Sequence, residues 1–312
     1  MKYLDLLKEG DRVSEVYLCK SKQQLKTKAG KSYYSLLLQD KSGVIDGKIW
    51  ELGSGIDHFD SLDYIMIDGD VTSFQGGLQL NIRRVRCAGE GEYIPADYLP
   101  VSSKDIKVMY TELMEYIKSF TNPHLKKLAT AIFVEDKALA KTFANHSAAK
   151  SVHHGFVGGL LEHTLGIVEL CDFLSSKYTW LNRDLLLCAA MLHDIGKIKE
   201  LSAFPENDYT DAGQLLGHIM IGTEIINDKI RDIKDFPEVL SLELKHCILA
   251  HHGELEYGSP KKPALAEAVA LSMADNLDAK LETLKECFAN VEGTEWLGYN
   301  RLFESNIRKT TM

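Results

Sequence analysis

Nine of the eleven histidines of this 312-residue chain lie at or beyond His146, and several of them have aspartates nearby, a combination that can bind divalent metal ions. His193 and Asp194 are adjacent in the run Met-Leu-His-Asp-Ile-Gly-Lys, and further candidates flank them on both sides: His163, His218, His251, His252 and Asp275. Neutral imidazole and ionised carboxylate bind ions such as Mn, Fe, Co or Zn, and a pair of such ions is suited to phosphoester hydrolysis. The residue types therefore predict a hydrolytic centre with two metal ions.

Each of these residues, taken singly, is weak support for a metal site, because a lone histidine is more often structural or simply exposed. The seven occur in the order His, His-Asp, His, His-His, Asp, and each lies among apolar residues with helical spacing. An acid such as Asp275 in an otherwise apolar helix needs a compensating cation. The set as a whole therefore favours a metal site over a fortuitous core arrangement.

The segment from Asp184 to Ile195 has the apolar content of a buried helix, and it puts His193 and Asp194 in the last turn. Successive helical residues project about 100° apart, so one helix end can offer a ligand to each of two ions, with the carboxylate bridging. Lys197 follows three residues later and is expected on the same face, where its ammonium group could stabilise a phosphoryl oxygen or a leaving alkoxide. We therefore predict Asp194 and Lys197 as the catalytic residues.

Short stretches rich in β-branched and aromatic residues predict five strands in the first ninety residues. They are separated by Gly, Asp or Lys turns and run from Arg12 to Lys20, Tyr33 to Gln39, Val44 to Trp50, Tyr64 to Thr72 and Leu78 to Cys87. Residues 51–62 are long enough for a short helix between the third and fourth strands. This plan is typical of an OB barrel.

Beyond residue 90 the pattern changes from alternation to helical spacing. Residues 91–103 combine glycine, proline and charge, as is typical of a linker. Amphipathic runs then predict helices over residues 123–134, 158–177, 184–195, 212–230, 238–250 and 264–289. The sequence therefore predicts two domains: an all-β OB barrel over residues 1–90, and an all-α domain over residues 104–312 whose metal core spans about 145–290.

The formal charge of −9 belongs to the second half, because acidic and basic residues balance over residues 1–90. An acidic protein can still bind a polyanion when its cations line one groove. The six cysteines are scattered without a Cys-x-x-Cys pair, which indicates reduced thiols in the cytoplasm. No apolar run approaches the roughly 20 residues of a transmembrane helix. We expect a soluble, cytoplasmic protein with no membrane contact.

The motif His-Asp-Ile-Gly-Lys at residues 193–197, together with the ligand order around it, resembles the HD superfamily of metal-dependent phosphohydrolases. The resemblance implies that one ion is held by His163, His193, Asp194 and Asp275, and the other by Asp194, His218, His251 and His252. Two further stretches are distinctive: residues 153–164, HHGFVGGLLEHT, and residues 30–34, GKSYY. With them, the sequence is similar over nearly the whole chain to the YhaM family of bacterial 3′-to-5′ exoribonucleases, in which an OB fold precedes an HD domain.

The family resemblance implies an activity that the residue spacing alone does not specify. It implies hydrolysis of single-stranded RNA from its 3′ end to 5′-mononucleotides, and it favours RNA over DNA. It also implies a homo-oligomer with two divalent ions, for which Mn²⁺ is the first choice and Fe, Co or Zn are alternatives. Two other functions stay open: an HD-type phosphohydrolase of nucleotides or small phosphoesters, and a non-catalytic single-strand-binding protein.

Candidate substrate contacts lie in both halves of the chain. His153 and His154 immediately precede the helix of His163, and ordinary surface or capping roles are the alternative for them. In the barrel, a single strand requires aromatic rings for stacking and cations for its phosphates, and the candidates are Lys31, Tyr33, Tyr34 and Arg84. Packing in the barrel core is the alternative for Trp50 and for one of the two tyrosines.

Overall fold

The computed structural model describes residues 1–150, 154–289, 291 and 293–311, which fall into two compact units. The first unit comprises Met1–Ser103 and Ser202–Asp208, and the second comprises Lys104–Leu201 and Tyr209–Met312. Each unit has its own cluster of buried apolar residues. Among the helices of the described residues, none has both the length and the hydropathy needed to cross a lipid bilayer.

The first unit is a closed barrel of five strands. They are β1 (Arg12–Lys26), β2 (Ser32–Asp40), β3 (Gly43–Ile49), β4 (Tyr64–Phe74) and β5 (Gly77–Cys87). The strands close in the order β1-β2-β3-β5-β4, in which β3 and β5 are parallel and the other neighbours are antiparallel. This is the OB topology, so the predicted barrel is confirmed.

Alternating side chains fill the barrel interior, because successive residues of a strand point to opposite faces. Leu36 and Leu38 of β2, and Ile65 and Ile67 of β4, are almost completely buried. Each such side chain contributes about 1.5–3 kcal/mol through burial. Strand β1 is long enough to pair with β4 through its first half and with β2 through its second half, which closes the barrel.

The expected helix over residues 51–62 is wrong, since this segment is an irregular loop. Gly53 and Gly55 lower the helical propensity of the segment. Ile56 instead forms an isolated parallel bridge with Val85 of β5, and Phe59 is buried in the barrel core. Contacts with the barrel therefore determine the conformation of this loop.

The second unit consists of helices packed around one core. The helices are α1 (Ile106–Ser119), α2 (Pro123–Thr130), α3 (Lys137–Asn145), α4 (Gly159–Lys177), α5 (Arg183–Leu192), α6 (Lys197–Glu200), α7 (Asp211–Arg231), α8 (Glu238–Leu249) and α9 (Ala266–Phe288). Polar side chains accept hydrogen bonds from first-turn N–H groups at five helix starts: Asp105, Asn122, Asp136, Asn182 and Thr210. Helix α5 is buried from Asp184 to its end, so it forms the centre of the unit.

The predicted helical second domain is thus confirmed, and the structure adds elements that the periodicity did not indicate. Helix α3 was missed because only Ala140, Phe143 and Ala144 are buried along it. A short antiparallel hairpin near the end of the chain, β6 (Trp296–Asn300) and β7 (Ser305–Arg308), was also not predicted.

Candidate metal centre

All seven predicted metal-binding residues converge at one place in the second unit. Helix α4 provides His163, the end of α5 provides His193 and Asp194, and α9 provides Asp275. Helix α7 contributes His218, and the turn after α8 contributes His251 and His252. Four helices and one turn, from widely separated parts of the sequence, therefore meet at a single cluster of imidazoles and carboxylates.

Asp194 lies at the centre of this cluster, with its two oxygens facing different histidines. Oδ2 is 3.5 Å from Nε2 of His163 and 3.3 Å from Nε2 of His193. Oδ1 is 3.4 Å from Nε2 of His218 and 3.8 Å from Nε2 of His251. A carboxylate oriented in this way can bridge two ions.

The donor atoms form two groups, one on each side of Asp194. In the first group, Nε2 of His163 lies 3.2 Å from Nε2 of His193 and 3.3 Å from Oδ1 of Asp275. In the second group, His218, His251 and His252 each offer one ring nitrogen, and these nitrogens lie within 4.8 Å of one another. Each group therefore has three protein donors besides the shared aspartate, which matches the ligand number of a divalent transition-metal site.

Every histidine of the cluster uses its Nδ1 to contact an oxygen outside the cluster. In His193, His251 and His252 this atom donates to the backbone carbonyls of Ala190, Ile248 and Tyr257, at 2.7–2.8 Å. In His163 and His218 it lies 2.9 and 3.0 Å from the carboxylates of Asp278 and Glu200. Because an oxygen acceptor fixes the proton on Nδ1, the lone pair of each Nε2 is available to a metal ion.

Three buried polar atoms of the cluster have no hydrogen-bond partner among the described residues, as is expected of atoms that bind a metal ion. Oδ1 of Asp194 and Nε2 of His218 and His251 are buried, and within the described residues no hydrogen bond satisfies them. Leaving polar atoms buried without a partner costs roughly 1–3 kcal/mol for each group. A bound cation would satisfy all three, and the residues present therefore fit a divalent ion of the first transition series.

The electrostatics of the cluster favour a cation. Burial opposes ionisation of Asp194, but Lys197 and the imidazoles of His193 and His163 hold the pKa of its carboxyl well below the ordinary value. Burial lowers the pKa of His163, yet hydrogen bonds with three carboxylates raise it well above the ordinary value, so a metal ion at its Nε2 would replace a proton. Burial and the neighbouring His193 lower the pKa of His251, which is therefore neutral, as a ligand must be.

Lys197 contacts the shared aspartate directly. It is the first residue of α6, and its Nζ lies 2.6 Å from Oδ2 of Asp194. Burial lowers the pKa of this ammonium group, but Asp194 outweighs burial and raises it, so the lysine stays charged. Lys197 also lines the cavity in front of the cluster, where it can meet a negatively charged substrate.

Glycines at two positions permit the close backbone approaches that bring the ligands together. A methyl group on Gly159, at the start of α4, would lie 2.0 Å from the carbonyl oxygen of His154. A methyl group on Gly196 would lie 1.9 Å from the carbonyl oxygen of His218. Neither position tolerates a Cβ atom without movement of the backbone, so glycine is required for α6 and α7 to bring Lys197 and His218 to the same site.

Two carboxylates that the sequence pattern did not single out complete the surroundings of the cluster. Glu200 accepts from the backbone N–H of His218 and contacts the Nδ1 of the same residue. Asp278 contacts His163 across 115 positions of sequence. Each lies one helical turn beyond a predicted site residue, Lys197 or Asp275, and that spacing is the signal that could have revealed them.

Of the two predicted substrate contacts in the second unit, the structure describes only His154. His153 lies outside the described residues. His154 is buried, with its Nε2 3.6 Å from Oδ2 of Asp278, and it lines the same cavity as the metal-binding residues. A contact between His154 and substrate stays a prediction.

In the first unit, the predicted substrate contacts occupy different surroundings. Tyr33 stacks on Trp50 with ring centroids 4.7 Å apart, and the tryptophan is 42% exposed. Tyr34 packs against the barrel core instead. The exposed cations Lys31 and Arg84 form surface ion pairs with Glu51 and Asp68. These residues do not belong to the cluster of imidazoles and carboxylates, which lies in the second unit.

Comparisons with known proteins agree with both halves of the structure. A family model described as the HD domain matches residues 160–280. A protein of Bacillus velezensis named 3′-5′ exoribonuclease YhaM is 35% identical over 290 residues, which are 92% of this chain and 91% of that relative. The protein of the same name from Bacillus subtilis is 34% identical over 294 residues, with the same coverage of both chains. On this similarity along almost its full length, the chain belongs to the YhaM family.

Proposed function

We propose that this protein is a metal-dependent 3′-to-5′ exoribonuclease that hydrolyses single-stranded RNA to 5′-mononucleotides. The observation that supports this most strongly is the position of Asp194 between two groups of imidazole donors. The relatives named 3′-5′ exoribonuclease YhaM match both units, and they support the 3′-to-5′ direction and RNA as the substrate.

The donor set divides into two binding sites that share Asp194. One ion would be held by His163, His193, Asp194 and Asp275, and the other by Asp194, His218, His251 and His252. Two bound ions supply Lewis acidity at the phosphoryl oxygens and an activated water. Manganese is the ion we propose, since imidazole and carboxylate donors accept it readily, although Fe, Co and Zn suit the same donors.

The remaining residues of the site orient ligands and neutralise charge. Glu200 and Asp278 hold the rings of His218 and His163 with Nε2 directed to the cluster. Lys197 brings a buried positive charge to the cavity wall beside Asp194, where it can stabilise the negative charge that develops on a phosphoryl oxygen. We propose Asp194 and Lys197 as the catalytic residues.

We propose that the barrel, over residues 1–90, binds the strand, and that residues 91–103 link it to the helical domain. OB folds bind oligonucleotides on the face of β2 and β3 and on the loops after β1 and β4. Here the loop after β1 is flanked by Lys26 and Lys31, the stacked pair Tyr33 and Trp50 lies at the ends of β2 and β3, and Phe74 is 62% exposed beside the loop after β4. Exposed aromatics and cations are what a single strand requires.

Assembly and location are two further parts of the proposal. The family resemblance is the ground for proposing a homo-oligomer, which light scattering of the purified protein tests directly. A reducing, cytoplasmic location is supported by the cysteines, all six of which are free thiols.

An end-labelling experiment tests the proposed activity. A single-stranded oligoribonucleotide with a 5′ label should be shortened stepwise while it keeps the label, should release 5′-mononucleotides in Mn²⁺, and should remain intact in EDTA. Asp194→Asn should abolish the shortening, whereas Asp228→Asn, which changes a surface aspartate paired with Arg231, should not. Cleavage of small phosphodiesters alone would support the rival phosphohydrolase, and binding without cleavage would support the non-catalytic alternative.

A further inference from the structure

The cavity in front of the cluster of imidazoles and carboxylates extends along helix α9, beyond the seven residues of the cluster. It has a volume of about 540 Å³, and one face of α9 lines it with Ser272, Asp275, Asn276, Ala279, Lys280 and Thr283. These positions follow the three- and four-residue spacing of a single helix face. The cavity wall therefore continues from the ligand Asp275 to Lys280, more than one turn further along the helix.

Lys280 differs from the other cation on the cavity wall. Lys197 is buried and paired with Asp194. Lys280 is exposed, and among the described residues it makes neither an ion pair nor a side-chain hydrogen bond. An unpaired ammonium group on the wall of a cavity that holds a phosphodiester is available to a second phosphate.

The separation along α9 indicates which phosphate this is. Lys280 follows Asp275 by five residues, which corresponds to about 7.5 Å along the helix axis. That distance is about two steps of a stacked strand, at 3.4 Å per nucleotide, or about one step of an extended strand. Lys197 already lies beside Asp194, so Lys280 is better suited to a phosphate next to the scissile one.

We propose that Lys280 is a substrate-binding residue that holds the first or second phosphate on the 5′ side of the scissile bond; this rests on the proposed exonuclease function. The 5′ side follows from chemistry. A 3′-terminal nucleoside carries a free hydroxyl and no further phosphate, so only the retained part of the strand can offer one. Lys280 thereby keeps the strand in register while its last nucleotide is removed.

Oligoribonucleotides with a single neutral linkage test this pairing. A methylphosphonate is placed at the first, second or fifth linkage 5′ of the scissile bond, and kcat/KM for removal of the 3′ nucleotide is measured with Mn²⁺. In the unaltered protein, substitution at one of the first two linkages should lower kcat/KM about fivefold at low salt, the upper range for an exposed ion pair. In Lys280→Gln the same methylphosphonate should not lower kcat/KM. In Lys280→Arg, which keeps the positive charge, it should lower kcat/KM as in the unaltered protein.

Controls separate this proposal from the proposed function. Lys285→Gln removes a cation of the same helix that is paired with Glu282 and does not line the cavity, and it should behave like the unaltered protein. If the unaltered protein does not shorten the unmodified strand from its 3′ end, the proposed function fails. If it does, but every neutral linkage has the same effect in the unaltered protein and in Lys280→Gln, only the assignment of Lys280 is overturned.

Discussion

At the scale of single residues, the orientation of each imidazole is the property that makes the cluster a binding site. Three of the five rings are held by backbone carbonyls, and those of His163 and His218 are held by carboxylates. A carboxylate fixes the tautomer and also increases the basicity of the ring, so it strengthens the bond to a metal ion. We therefore expect Asp278 and Glu200 to contribute to metal affinity through His163 and His218.

Replacing Glu200 with glutamine should weaken metal binding at the His218 group by about 10- to 100-fold, the usual effect of losing such a partner. Asp278→Asn should have the same effect at the His163 group. Titration calorimetry with Mn²⁺ measures both. Glu282→Gln changes a half-buried carboxylate of α9 that is paired with Lys285 and does not line the cavity; it is the control and should bind like the unaltered protein. Unchanged affinity in Glu200→Gln and Asp278→Asn would show that the carboxylates have no positioning role.

The cluster of imidazoles and carboxylates was predictable from sequence because these residue types seldom occur together and their order is distinctive. Glu200 and Asp278 were not predicted, since acidic residues are common on helix surfaces and a spacing of three residues from Lys197 or Asp275 does not by itself show a contact with a histidine. Only the fold shows that Asp278 contacts His163, 115 positions away. Likewise, the sequence did not separate Tyr33, which stacks on Trp50, from Tyr34, which packs on the barrel core.

At the scale of elements, the close contact between the start of α6 and α7 determines whether Lys197 and His218 reach the same site. Gly196 lies against the carbonyl of His218, and at Gly217 the backbone of α7 adopts a left-handed conformation with φ of 72°. This kink starts the part of the helix that carries His218. Helical periodicity predicted α7 as a continuous run, because a local break at one glycine leaves the apolar spacing on either side intact.

Gly196→Ala should destabilise the protein by about 2–4 kcal/mol, because the new methyl group overlaps a backbone oxygen that cannot move alone. Gly166→Ala in α4 is the matched control, since its methyl group meets an ordinary contact of 3.6 Å and alanine is the better helix former. Chemical denaturation of both variants measures the difference. Equal stability of Gly196→Ala and the unaltered protein would contradict the structural role of this contact.

For the molecule as a whole, the proposed function assigns strand binding to the barrel and hydrolysis to the helical unit. The helical unit contains the metal cluster, and the barrel presents exposed aromatic and basic residues. A strand held by the barrel has a higher effective concentration at the cluster than a free one. The change from alternation to helical periodicity near residue 90 made the two architectures predictable. The terminal hairpin was not, because two strands of four or five residues give little periodicity to read.

Tyr33→Ala should raise KM for a long single-stranded RNA, because stacking on one aromatic ring contributes about 1–3 kcal/mol per base. Hydrolysis of a dinucleotide, which has no further base to stack on Tyr33 while it is bound at the cluster, should be unaffected. Tyr178→Ala, which removes an exposed tyrosine of the second unit, is the control and should change neither rate. Equal losses on both substrates in Tyr33→Ala would deny the barrel a role in holding the strand.

The number of Mn²⁺ ions that each chain binds distinguishes a dinuclear centre from a mononuclear one. The purified protein is stripped with chelator, saturated with Mn²⁺, freed of unbound metal by gel filtration and analysed by elemental mass spectrometry. Two groups of donors that share Asp194 predict two ions per chain, and they predict fewer in Asp194→Asn. A single ion per chain in the saturated protein, or the same content in Asp194→Asn, would contradict a dinuclear centre bridged by this aspartate.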